Sequence, residues 1–176
     1  MPYKDCFGDF MSETARTLTV TWDDPMLTAN AGRGQSGLAF LQSMIRGEIP
    51  APPIARLIGF RLSEVSEGKA VFTCVPGEQH YNPIGAVHGG LAAILLDSAL
   101  GCAVQTMLPE GVGYTTAELH INLVRAISAT TGLIRTEAEV IHSGRRMATA
   151  QGRIVDEQGK LYAHGTTTCM IFGPEK

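Results

Sequence analysis

Residues 82–100, NPIGAVHGGLAAILLDSAL, set a histidine and two glycines at the mouth of an almost wholly apolar segment and place one carboxylate, Asp97, in its middle. The run from Val87 to Leu108 predicts a helix of roughly six turns, closed by Pro109 and Gly111. A helix that is apolar nearly all round must be buried on most sides. What surrounds it decides the fold.

On its C-terminal side lie four strand-like stretches, at 114–127, 132–144, 145–159 and 161–172. Turn residues at 129–132, 144–145 and 156–159 separate them. Ile134, Thr136, Ala138 and Val140 alternate with Arg135, Glu137 and Glu139, which predicts an antiparallel sheet with one polar face. On the N-terminal side, IARLIGFRLSEVSEG and KAVFTCVPG read as two extended segments around a Ser-Glu-Gly turn, a hairpin. The order strand, strand, helix, four strands predicts an α+β fold, one long helix wrapped by a curved antiparallel sheet of about six strands. Such a sheet leaves a flank of the helix and its own edges uncovered, so a homo-oligomer is expected, most simply a two-fold dimer.

Residues 1–50 differ and read as an appended arm before a domain at 51–176. RTLTVTW at 16–22 alternates like a strand; Asp23, Asp24 and Pro25 stop it, and an Asn/Gly-rich loop through Gly37 follows. Residues 37–49, GLAFLQSMIRGEI, space their apolar side chains as a short helix.

With 176 residues, 44% apolar and 18% charged, the chain is long enough for one real core. A net charge of -3, a pI of about 5.9 and no Lys/Arg block give no electrostatic case for nucleic acid or an anionic membrane. Cys6, Cys74, Cys102 and Cys169 lie far apart, as reduced thiols of a cytoplasmic protein would. The start lacks a leader-like apolar run, and the longest unbroken one, Leu91 to Leu96, is far short of a membrane span.

Several motifs can be set aside. GRGQSG at 32–37 spells a dinucleotide fingerprint, but no strand precedes it and no βαβ unit surrounds it. No P-loop, G-x-S-x-G elbow or H-E-x-x-H occurs. His80, His88, His120, His142 and His164 lack ligand spacing, so no metal is expected.

The opening stretch remains. Gly89 and Gly90 let a ligand approach the backbone where the first helical N–H groups have no internal partner. With the helix dipole, those amides suit the oxyanion of an acyl-transfer intermediate; the competing account is close packing at a helix start. Asp97, among Ile94, Leu95, Leu96, Ala99 and Leu100, is costly to bury unless hydrogen-bonded, paired or tuned for reaction; beside Ser98, Gln105 and Thr106 it also suits a solvated stripe. Nine residues beyond His88, Asp97 sits about 13 Å down the helix. If it acts on a group held at those amides, they must belong to a second subunit.

The pattern N-x-x-G-x-x-H-G-G followed by a helical Asp, here Asn82, Gly85, His88, Gly89, Gly90 and Asp97, resembles the PaaI-type acyl-CoA thioesterases of the hotdog fold. The resemblance extends over about residues 54–172, including TTAELHINLVRA and GRRMATAQGRIVDEQGKLYAHGTTT. It implies hydrolysis of an acyl-CoA to free acid and coenzyme A, with the thiol carrier part of the substrate and no separate cofactor. Asp97 would be nucleophile or general base, the Gly89 N–H the oxyanion donor, His88 would shape the helix start, Asn82 would orient the thioester or water, and Thr116 would place that water. The Asp would come from one subunit and the Asn, His and Gly from the other, in a dimer that is the minimal active unit of a dimer or tetramer.

The resemblance also runs the pantetheine between subunits, past Gly85, Gly90, Tyr114, Thr115 and Gly144, with Arg145 and Arg146 meeting phosphates or standing as solvated turn charges. Leu91, Ile94, Leu95 and the 38–49 arm are candidates for the acyl pocket. Tyr81, Tyr114, Phe60 and Phe72 suit an aromatic pocket or the core equally. A non-catalytic acyl-CoA sensor would have no use for a buried carboxylate. A dehydratase would want a His with a carboxylate as its acid/base pair.

Overall fold

The computed structural model describes residues 14–173, so Cys6 lies outside the described residues. Six strands, β1 (Phe60–Ser66), β2 (Lys69–Cys74), β3 (Gly113–Leu123), β4 (Ile134–Ser143), β5 (Met147–Asp156) and β6 (Leu161–Phe172), form one antiparallel sheet in the order β1-β2-β4-β5-β6-β3. The β1–β2 hairpin turns at Gly68, whose φ of 73° suits a residue without a Cβ. The long helix packs against β2 through β6, as expected of the hotdog arrangement.

That helix, numbered α4 after three short helices that precede β1, spans Gly89–Gln105. It buries Leu95, Leu96, Ala99, Leu100, Ala103 and Val104 completely. Beneath it the strands carry small residues, Ala138, Ala148, Ala150, Gly152, Ala163 and Gly165. A Cβ on Gly152 would come 3.2 Å from Leu100 Cδ2, so the glycine lets the helix settle onto the sheet. Truncating any of the three buried leucines to alanine would cost about 2–5 kcal/mol. The helix is shorter than the apolar run suggests, because Val87 is bridged in extended conformation to Tyr81 and the helix is capped at Thr106.

The N-terminal region departs from expectation in four places. Residues 16–22 form no strand; they run exposed against 56–59 and Gln79 instead of along β1, so no ladder can form. The expected loop contains a helix, α1 (Pro25–Ala31): Asp24 accepts from the Met26 N–H at 2.9 Å and Pro25 occupies the first turn, so the residues that end a strand also start a helix. Helix α2 runs Gly37–Ile45 and stops before Gly47, whose φ is 76°. Residues expected to be extended before Phe60 are instead a helix, α3 (Pro53–Ile58), ended by left-handed Gly59. The α2 start rests directly on the end of α4, with the Gly37 N–H donating to Leu108 O at 2.9 Å. A Cβ on Gly37 would fall 1.8 Å from Gln105 O.

Candidate active site

The loop before α4 is held by its own asparagine. Asn82 N–H donates to Ala86 O at 2.7 Å, and Asn82 Oδ1 accepts from the Ile84 and Ala86 N–H groups at 3.1 and 3.2 Å. Gly85, at φ 79°, makes the turn between them. The Asn82 oxygen is therefore committed to the loop, and only its NH₂ is free to face a ligand. Val87 N–H donates to Ile127 O and His88 N–H to His80 O, which tie the loop to the rest of the fold.

His88 is the N-cap of α4: its Nδ1 accepts from the Gly90 N–H at 2.8 Å. A nitrogen that accepts carries no proton, so the ring is the Nε2–H tautomer. This spends the Gly90 amide and leaves the Gly89 N–H, the first of the helix, without an acceptor among the described residues. A side chain at either glycine would force a neighbour to shift. A Cβ on Gly89 would lie 2.6 Å from Leu123 Cδ1, and one on Gly90 2.7 Å from His88 Nδ1. Gly89 lines a cleft of about 330 Å³ together with Asn82, His88, Leu123 and Arg125.

Asp97 is not buried within the chain, contrary to expectation. The sheet covers the side of α4 that carries Leu95, Leu96, Ala99 and Leu100, whereas Asp97 lies on the open flank with the half-buried Ile94 and Ser98. Thr116 Oγ1 donates to Asp97 Oδ1 at 2.9 Å. One turn on, Tyr114 lies over Gly101, where a Cβ would come 2.4 Å from the phenol oxygen. Burial pushes the Tyr114 hydroxyl well above its ordinary value, and the Asp97 charge adds in the same direction. Burial, with Asp97 adding, also pushes the Cys102 thiol up to about 12, so the sulfur beside Asp97 stays protonated.

Tyr114 and Thr116 face the helix together as alternate residues of β3, which then bulges between Thr116 and Glu118. After the extra residue, Ala117, the inward positions become Leu119, Ile121 and Leu123. Thr115 points to the opposite, exposed face, away from Asp97. Arg145 and Arg146 lie exposed in the β4–β5 turn, which Gly144 N–H closes by donating to Met147 O. Ile171 N–H donates to Arg146 O and Ile171 pairs with Tyr114, so the arginines sit at the Tyr114 end of the sheet, two strands away. Of the three acyl-pocket candidates on α4, Leu91 and Leu95 are core and Ile94 is on the open flank. Among the described residues no group of three or more His, Cys, Asp or Glu is placed to hold a metal.

The structure thus gathers the sequence candidates into two places. Asn82, Gly85, His88, Gly89 and Gly90 surround the start of α4; Asp97, Thr116 and Tyr114 lie eight or more residues along it, about 12 Å away. Arg125 and Tyr162, which the sequence did not single out, line the cleft with the first set.

Residues 84–163 match the thioesterase superfamily family model. A 1,4-dihydroxy-2-naphthoyl-CoA hydrolase of Listeria monocytogenes is 31% identical over 65% of this chain and 91% of its own. A phenylacetic acid degradation-related protein of Ralstonia eutropha is 31% identical with a TM-score of 0.67, covering 74% of this chain and 98% of that one. The E. coli PaaI protein, 24% identical, shares the fold with a TM-score of 0.68 over 79% of this chain and 96% of its own. On its sequence, its sheet order and its central helix, the chain belongs to the thioesterase superfamily.

Proposed function

We propose that the chain hydrolyses an acyl-CoA thioester, at a site completed by two protomers. The observation that carries this reading is the separation within one chain: a carboxylate held by a threonine on an open flank, and an unpaired N–H in a cleft about 12 Å away on the same helix. The coenzyme A ester is proposed on the likeness to the naphthoyl-CoA hydrolase.

In this reading the thioester carbonyl oxygen accepts from the Gly89 N–H. Water adds to the carbonyl carbon while Asp97 of the partner subunit takes its proton, and the resulting oxyanion is stabilised by the amide and the helix start. The C–S bond then breaks, the sulfur takes the proton from Asp97, and acid and thiol leave. Thr116 fixes one carboxylate oxygen and leaves the other for water. Asn82 donates from its NH₂ to the thioester or water, and His88 holds the helix start open. Tyr114 and Ile94 flank the carboxylate, and Arg145 and Arg146 lie toward the thiol carrier.

The pairing that joins the halves follows from β3, an eleven-residue strand at the sheet edge. Directly opposed residues of antiparallel strands point to one face. Tyr114, Thr116, Leu119, Ile121 and Leu123 point inward, with Ala117 the extra residue. Two β3 edges centred on His120 satisfy that rule throughout: Leu119 opposes the partner's Ile121, Glu118 opposes the partner's Asn122, and Thr116 opposes the partner's Leu123. Because Thr116 holds Asp97 and Leu123 touches Gly89, this register brings acid and amide together.

The test is thiol release from a panel of aryl and straight-chain acyl-CoAs. Wild type should hydrolyse at least one, and Asp97→Asn should lose about 10²-fold or more in kcat. Hydrolysis that survives the substitution removes Asp97 from the chemistry; no hydrolysis of any ester favours a sensor. Label found in Asp97 after a single turnover in H₂¹⁸O would identify a nucleophile, since only an attacking Asp97 places it in the protein.

A further inference from the structure

The cleft beside Gly89 holds a prepared cation. Its lining includes the apolar Ile84, Leu123 and Val124, and a single permanent charge, Arg125. No carboxylate among the described residues comes within ion-pair distance of that guanidinium, in contrast to Arg135 and Arg153, which are paired with glutamates. Arg125 is nevertheless held in place. Its carbon lies 5.8 Å from the centre of the Tyr162 ring, and Nη1 donates to Leu161 O. The Tyr162 hydroxyl donates in turn to Asp156 Oδ2 at 3.1 Å, and Asp156 Oδ1 accepts from the Gln158 and Lys160 N–H groups.

An unpaired, pre-oriented guanidinium is an unusual use of a long side chain, because fixing it costs rotamer entropy. One of its five N–H donors is spent on Leu161, and the free edge retains the paired donors that match a carboxylate or phosphate. The stacking explains why arginine is required: lysine has neither the flat face nor the fork.

We infer that Arg125 forms an anion subsite of the cleft and binds an oxyanion group of the ligand, a phosphate of the thiol carrier or a carboxylate on the acyl chain. The inference rests on the reading that this cleft receives the thioester, and it goes beyond that reading in predicting discrimination by charge.

Calorimetry on the full chain separates the sources and does not depend on turnover. Three probes suffice: coenzyme A, pantetheine, and the non-hydrolysable S-carboxypropyl thioether of pantetheine. Arg125→Gln should weaken coenzyme A, the carboxylated thioether, or both, by about ten- to a hundredfold, the range of a charge-assisted bond, and leave pantetheine unchanged. Arg125→Lys should recover part of the loss. A loss confined to coenzyme A assigns the phosphate, and one confined to the thioether assigns the carboxylate. The inference is overturned if all three ligands weaken equally, which marks Arg125 as a strut for Leu161, if none weakens, or if wild type binds none of them. A chain that binds anions through Arg125 yet cleaves no thioester keeps the subsite and loses the enzymatic reading.

Discussion

Thr116 and Asp97, nineteen residues apart in sequence and on different elements, are joined by a 2.9 Å hydrogen bond in which the threonine donates. Donation to one oxygen lowers the freedom of the carboxylate and leaves the second oxygen without a partner among the described residues. Thr116→Val keeps the shape of the side chain and removes the donor. It should lower kcat about tenfold with little change in KM, since it misdirects a group that acts in the transition state. Thr116→Ser should restore most of the loss. Steady-state thiol release on the best substrate checks both, and a valine variant with wild-type kcat would show that the threonine is only packing.

Gly89 can be tested against its neighbour. Its absent Cβ would stand 2.6 Å from Leu123 Cδ1, the far end of a flexible side chain. Gly89→Ala should therefore fold, but it displaces Leu123 and tilts the amide, with a loss of about tenfold or more in kcat. Leu123→Ala removes the obstructing atom. If the steric account holds, the double variant recovers activity relative to Gly89→Ala alone, a coupling a double-mutant cycle measures directly. Simple additivity would sink it.

These residues also show what could be read from the sequence and what could not. The central helix and β3 to β6 were legible because hydrophobic period and turn residues agree over long stretches. The arm was not, because Asp24-Pro25 is both a strand stop and a helix cap, and only tertiary contacts choose. The shift from Tyr114 and Thr116 to Leu119, Ile121 and Leu123 spells the bulge, yet one-sided alternation over so few residues is easily read as an even strand. Hydropathy placed Asp97 in a buried segment without saying which flank the sheet would leave open. The Arg125, Tyr162 and Asp156 stack is assembled from separate strands and turns, so no local pattern announces it.

Asp156 makes a stability prediction. Its carboxyl is held below the usual value chiefly by the Lys160 N–H, then by the Tyr162 hydroxyl and the Gln158 N–H, against the opposing effect of burial. The folded state therefore binds this proton less tightly than the unfolded chain, whose carboxylate titrates near about 3.9. The contribution is complete above that value and is lost as pH falls through the lower folded one. Asp156→Asn should lower the melting temperature at pH 7 and reduce the further loss between pH 4 and pH 2. Parallel melting curves for the two proteins over that acid range would contradict the assignment.

The proposed two-fold axis can be fixed by one residue. If β3 edges pair about His120, the two His120 side chains are directly opposite, with Cβ atoms about 4.5–5.5 Å apart, close to the span of a disulfide. His120→Cys should then cross-link to a covalent dimer under mild oxidation, in a Cys6→Ser background that leaves the buried Cys74 and Cys169 and the half-buried Cys102. Asn122 is the control: it lies on the same face two residues on, which puts it about 13 Å from its own copy. Asn122→Cys should stay uncross-linked. Non-reducing electrophoresis reads the outcome, and sedimentation of the unoxidised variants shows that both remain dimers. Cross-linking at Asn122 instead of His120 would move the two-fold centre by two residues and the pairing register by four, taking Thr116 away from the partner's Leu123 and separating Asp97 from the amide it is proposed to serve. An active monomer would remove the shared site altogether.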